Sequence, residues 1–208
     1  MNEDRFNTHQ DLISHLVRTG ALGTRSIIHA FNDIDRASFV RSTELDEAYY
    51  DTALPIGFQQ TISQPSTVAF MLELLQPKEG ERILDLGSGS GWTTALLGHI
   101  IGESGSVIGI ERVPELYDFG QRNVQKYPNL PATIRLVSEK LGVPGSQFNK
   151  ILVSASGNKI PKELLDQLVV RGCMVIPVGN SIYHITKNAD STFDTKEHPG
   201  FVFVPLVM

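Results

Sequence analysis

The segment Ile83-Leu-Asp85-Leu-Gly87-Ser88-Gly89-Ser-Gly91-Trp92 sets an apolar run directly before three glycines and a helical pattern directly after them. Glycines in such a turn let the chain reverse sharply and bring its backbone against a ligand, with the first N–H groups of the following helix facing it. Val107-Ile-Gly-Ile-Glu111 supplies a second apolar run, ending in a carboxylate able to accept hydrogen bonds from ribose hydroxyls. Together they point to a nucleoside-bearing ligand. A dinucleotide fingerprint needs glycine at position 92, where this chain has Trp92, so the spacing is Gly-x-Gly-x-Gly with Asp85 two residues before Gly87. Glu111 indicates a ribose without choosing the cofactor. Asp85 taken alone is also a reasonable helix or loop cap, and Trp92 a core residue.

The elements that must position these groups follow from periodicity. Thr8 with Asp11 predicts a capped helix carrying Leu12, Ile13, Leu16 and Val17 on one face, stopped at Gly20, and Ser26–Phe31 predicts a second short helix. Asp51–Gly57 carries turn signals and is expected to be a loop. Pro65 suits a first helical turn, with Val68, Met71, Leu72 and Leu75 at helical spacing and Gly80 closing the helix. Beyond it, strand-like runs at 82–86, 106–111, 133–137, 150–154 and 173–178 alternate with helical patterns at 92–101, 114–127 and 161–168. That order predicts an α/β fold with a mostly parallel central sheet flanked by helices. Ser181–Thr186 and Phe201–Val207 have no helix between them and are expected to form a closing antiparallel pair, with the polar stretch 187–200 a loop.

The bulk composition narrows the function classes. The 208 residues suffice for one α/β domain, and 41% hydrophobic with 20% charged residues is ordinary for a globular protein. A net charge of −5 and the lack of any basic run argue against nucleic acid as partner. No apolar stretch has the length of a membrane span, and Met1–Asp11 lacks the apolar core of a signal peptide. The lone Cys173 excludes an intramolecular disulfide and fits a reducing, cytoplasmic location. His9, His15, His29, His99, His184 and His198 are scattered and no His-Glu-x-x-His occurs, so no metal is expected. Nothing in the sequence decides oligomeric state.

The glycine spacing resembles the first motif of Rossmann-like methyltransferases. Their cofactor, S-adenosyl-L-methionine, has no pyrophosphate, so the turn packs against its adenosyl and methionyl parts. Leu54-Pro-Ile-Gly-Phe-Gln-Gln-Thr61-Ile62-Ser63-Gln-Pro65 is more specific, and with the glycine turn it resembles the protein-L-isoaspartate O-methyltransferase family. The similarity continues through Ile151–Ala155, Ile160–Leu164, Val175–Gly179 and Phe203–Leu206. It implies one methyltransferase domain over residues 1–208, with 1–62 a helical, substrate-side region and 63–208 the Rossmann-like core. It also implies an enzyme that methylates the free α-carboxylate of isoaspartyl residues in damaged proteins and peptides. Such an ester closes spontaneously to a succinimide, which reopens partly to normal aspartate.

The resemblance places Ser63 at the active site, where its hydroxyl would orient the acceptor carboxylate, although a serine here also suits a helix cap before Pro65. Thr61 and Ile62 would wall the sulfonium end. Asp85, Gly87, Ser88, Gly89, Gly91 and Glu111 would hold the rest of the cofactor. The chain departs from the family after its third core strand. Gly-Asp-Gly, whose aspartate contacts adenine, is replaced by Val137-Ser138-Glu139-Lys140, which leaves Ser138 and Glu139 as candidate adenine contacts. A paralogue methylating another carboxylate and a cofactor-binding module with little activity therefore stay open.

Overall fold

The computed structural model describes residues 5–137 and 141–205. The N-terminal region contributes helices α1 (His9–Arg18) and α2 (Arg25–Asp33), followed by two short 3-10 turns. Thr8 caps α1, its Oγ1 accepting from the Asp11 N–H at 3.1 Å, and the helix buries Leu12, Ile13 and Leu16 but, against the expected face, leaves Val17 exposed. A small hairpin follows, β1 (Leu54–Gly57) and β2 (Gln60–Ile62), and then helix α3 (Pro65–Leu75).

The core alternates strand and helix: β3 (Arg82–Leu86), α4 (Trp92–Ile101), β4 (Ser106–Glu111), α5 (Pro114–Val124), β5 (Ala132–Leu136), β6 (Phe148–Val153), α6 (Lys162–Leu165), β7 (Leu168–Val178), β8 (Ser181–Lys187) and β9 (Phe193–Pro199). The strands form a seven-stranded sheet in the order β5-β4-β3-β6-β7-β8-β9. The first five are mutually parallel, and β8 and β9 add antiparallel at one edge. Side chains alternate between two cores. Ile83, Val107, Leu152 and Val175 join α1–α4 on one face, and Leu84, Ile108, Ile151 and Met174 join Leu164 and Leu168 on the other. The strand order runs outward both ways from β3 and β6, which opens a crevice beyond their carboxyl ends.

Several expectations need correction. Asp51–Gly57 is not all loop, since its second half is β1, paired through Leu54↔Ile62. At the hairpin tip Phe58 (φ 55°) and Gln59 (φ 59°) both occupy the left-handed region, a conformation that usually selects Asn-Gly. Helix α3 ends at Leu75, not Gly80, because Gln76 turns left-handed (φ 48°) and Pro77 follows it. The third helical pattern shrinks to α6, and β7 begins at Leu168, with a register shift before Cys173. The strand that closes the sheet beside β8 is Phe193–Pro199, inside the stretch expected to be a loop, and not Phe201–Val207. Phe201–Pro205 instead crosses the carboxyl ends of the strands, its Val204 carbonyl accepting from the Ser156 N–H at 2.8 Å. As the last strand, β9 is exposed along nearly its whole length, so it carries no alternation of apolar residues to betray it. No described helix is long and apolar enough to cross a membrane.

Candidate active site

A cavity of about 820 Å³ occupies the crevice. The turn after β3 (Gly87, Ser88, Gly89), the end of β4 (Glu111) and the β2–α3 connection (Thr61, Ile62, Ser63) line it together, with Val204 and Pro205 from the crossing segment. Six of the described candidates from the cofactor motifs, and Ser63 with them, thus meet in one place. Asp85 and Gly91 do not line it. Ser138 and Glu139 lie outside the described residues.

The turn is built by close approach. Gly91 N-caps α4 with φ 85°, and a Cβ there would meet the Gly120 carbonyl at 2.9 Å. Gly120 in turn sits so near that its own Cβ would meet the Gly89 carbonyl at 2.6 Å. Gly91 is therefore a packing residue behind the turn. The N–H groups are largely committed to protein acceptors. Those of Gly87 and Ser88 donate to the Ile110 carbonyl (2.9 and 3.1 Å), that of Gly89 to Glu111 Oε2 (2.9 Å), and that of Gly91 to the Ser88 carbonyl (2.7 Å). These bonds fix the shape of the turn, whose outer face packs toward the cavity. That suits a ligand without a pyrophosphate.

Glu111 is the hinge of this arrangement. It is 8% exposed, and its Oε1 accepts from the Arg112 and Val113 N–H groups at 2.7 and 2.9 Å. Three of roughly four acceptor positions on the carboxylate are then used, which leaves capacity for a ligand hydroxyl. Ser88 Oγ, also at the cavity, is buried with no partner among the described residues. An orphaned hydroxyl beside a partly free carboxylate fits a polar, sugar-bearing group.

Asp85 stands behind the turn, fully buried, and its Oδ2 accepts from the hydroxyls of Thr93 (2.7 Å) and Thr94 (2.6 Å) in the first turn of α4. It ties strand to helix and resembles the cap considered from sequence more than a ligand contact. Burial pushes its carboxyl from 3.8 up to about 6, against the opposing pull of the two threonine hydroxyls. The folded protein therefore holds this proton between about pH 4 and 6 while the unfolded chain has lost it. Stability from this group is full below pH 4 and declines as the pH rises to about 6, by on the order of 3 kcal/mol. Asp85→Asn removes that dependence. Urea unfolding at pH 4.5 and 7.5 is expected to show the variant gaining on wild type at the higher pH, and an equal difference at both would contradict the assignment.

Ser63 is half-buried at the cavity wall, and its side chain makes no hydrogen bond among the described residues. It does not cap α3. The N-cap is Gln64, with no side-chain bond, and the free N–H of Ser66 is taken by Asp51 Oδ1 at 2.8 Å. The hydroxyl is left available to the cavity. Trp92 combines two roles, packing edge-on against Phe31 and also lining the cavity. No histidine lines the cavity among the described residues; His9 and His99 face Asp35 and Asp33 instead. Sequence reasoning missed Arg36, fully buried, whose Nη2 donates to the Ser63 carbonyl. Preceded by Asp33 and Asp35 and followed by Ser38 and Arg41, it carried no local signal of burial.

The family model for protein-L-isoaspartate(D-aspartate) O-methyltransferases matches residues 7–208. A protein-L-isoaspartate O-methyltransferase from Methanopyrus kandleri is 36% identical over 94% of this chain and 89% of its own length. One from Fervidobacterium nodosum is 42% identical over 85% of this chain and 88% of its own. A crystal structure of a Plasmodium falciparum protein of this type, bound to S-adenosyl-L-homocysteine, matches with a TM-score of 0.84 at 26% identity, covering 97% of this chain and 99% of the other. With the family model matched over nearly the whole length and relatives more than 30% identical across most of it, the chain belongs to the protein-L-isoaspartate(D-aspartate) O-methyltransferase family.

Proposed function

We propose that this chain methylates the free α-carboxylate of L-isoaspartyl residues, and of D-aspartyl residues, in damaged proteins and peptides, and so begins their repair. The observation that carries it is the meeting of an uncommitted Ser63 hydroxyl with the Gly87–Gly89 turn and Glu111 around one cavity, in a chain of this family. S-adenosyl-L-methionine, when bound, supplies an electrophilic methyl group on a sulfonium. Glu111 would hold its sugar, Gly87, Ser88 and Gly89 would pack against it, and Thr61 and Ile62 would wall its sulfonium end.

The chain's own work is then positioning. An isoaspartyl carboxylate is ionised at neutral pH, so no general base is required. This agrees with a cavity whose described lining offers no histidine. The Ser63 hydroxyl would donate to one carboxylate oxygen and leave the other aimed at the methyl group, since transfer demands an in-line approach at roughly 3 Å. Ile62 and Val68, both buried at the cavity, would keep water from the nucleophile. Residues 1–62 and 63–208 would act as one methyltransferase unit in the cytoplasm.

Incubation with labelled S-adenosyl-L-methionine and a pair of peptides, one isoaspartyl and one aspartyl, tests this. Label on the isoaspartyl peptide alone is the expected result. Label on neither, with the cofactor bound, would point to another carboxylate or to a binding module.

A further inference from the structure

We infer that Arg36 is a positioning residue for methyl transfer, its guanidinium holding the backbone of Ser63 so that the hydroxyl faces the acceptor; this rests on the role proposed above for Ser63. Arg36 opens the 3-10 turn Arg36–Phe39 and is fully buried. Its Nη1 donates to the carbonyls of Ala48 (2.7 Å) and Tyr50 (3.3 Å), and its Nη2 to those of Thr52 (2.8 Å) and Ser63 (3.2 Å). Its guanidinium carbon lies 5.5 Å from the centre of the Trp92 ring, itself a wall of the cavity. One planar group therefore joins the 48–52 segment, the Ser63 wall and the first residue of α4.

The wall needs such a tie. Strand β2 pairs only with β1, in a two-stranded sheet separate from the central one, so the main sheet does not set the position of Ser63. Beyond that ladder, no other side chain among the described residues bonds to the backbone of Thr61, Ile62 or Ser63. Asp51 fastens the far side of the connection through the Ser66 N–H. Burial is costly for the guanidinium. It pushes the group from 12.5 down to about 9, against the charge of Asp51, which leaves it charged at neutral pH. Apolar side chains of similar volume often serve stability as well as buried ions do. What they lack is a rigid fork able to grip carbonyls from two segments at once, and a lysine ammonium lacks that planar fork too.

The test compares Arg36→Lys and Arg36→Met with wild type in kcat and KM for an isoaspartyl peptide. Activity is expressed per S-adenosylhomocysteine site counted by calorimetry, so that misfolded protein drops out. Ser63→Ala is made in wild type and in Arg36→Lys. The expected result is a fall in kcat per site of about 10-fold or more in both Arg36 variants, since misplacements of an ångström weigh heavily on transfer. S-adenosylhomocysteine affinity should stay within about 3-fold, and Ser63→Ala should cost markedly less in Arg36→Lys than in wild type. Unchanged kcat per site, or a full Ser63→Ala penalty surviving in Arg36→Lys, would overturn the inference. So would loss of binding sites in both variants, which would make Arg36 a residue of the fold alone. No effect of Ser63→Ala in wild type would instead remove the role of Ser63 itself.

Discussion

Ser63→Ala is expected to lower kcat on an isoaspartyl peptide by about 10- to 100-fold, the usual worth of one hydrogen bond to a charged group that must be aimed. The affinity for S-adenosylhomocysteine should hold within about 3-fold, because Gly87–Gly89 and Glu111 do not depend on the hydroxyl. Stability should also hold. The Ser63 hydroxyl caps nothing, since Asp51 already serves the Ser66 N–H, and the bond from Arg36 goes to the Ser63 carbonyl, which alanine keeps. Steady-state kinetics and calorimetry on the same preparation settle the matter. Equal losses of turnover and cofactor affinity would count against a positioning role.

Glu111→Gln should act in the opposite sense, on the cofactor before the acceptor. The amide can keep its oxygen on the Arg112 and Val113 N–H groups. Its NH₂ then faces the Gly89 N–H, donor against donor, where Oε2 now accepts at 2.9 Å. The glycine turn loses its tie to β4, and the site loses a charged acceptor for a sugar. An affinity loss for S-adenosylhomocysteine of about 10- to 100-fold is expected, with a fall in Tm of roughly 2–8 °C from the broken buried bond. A variant that binds the cofactor at wild-type strength would show that Glu111 serves the turn only.

The two effects separate because the two groups reach the cavity from different structures. Glu111 ends a central parallel strand and is placed by the sheet register, Ile110 lying opposite Leu86. Ser63 follows a two-stranded hairpin, and its carbonyl accepts from Arg36 of the N-terminal region. Substitutions in residues 36–52 should therefore disturb turnover more than cofactor binding.

Much of this was legible in the residues themselves. The bounds of β3, α4 and β4 follow from periodicity and from the glycine turn, because an apolar run, a turn and a helix start are local properties that short segments carry alone. The glycine turn and Glu111 at a strand end likewise pointed to residues that meet at the cavity, and the family resemblance added Thr61, Ile62 and Ser63. What tertiary structure alone decided is how those residues divide their work. Asp85 and Gly91 share the motif with Gly87 and Gly89, yet Asp85 turns to Thr93 and Thr94 and Gly91 packs on Gly120, because helices α4 and α5 approach the turn from behind. Ser63 is released from capping by Asp51, and Arg36 grips Ser63 across 27 positions of chain. The edge strand β9 gave no pattern because it buries almost nothing. Such pairings depend on which distant segments the sheet brings together, and no local spacing encodes them.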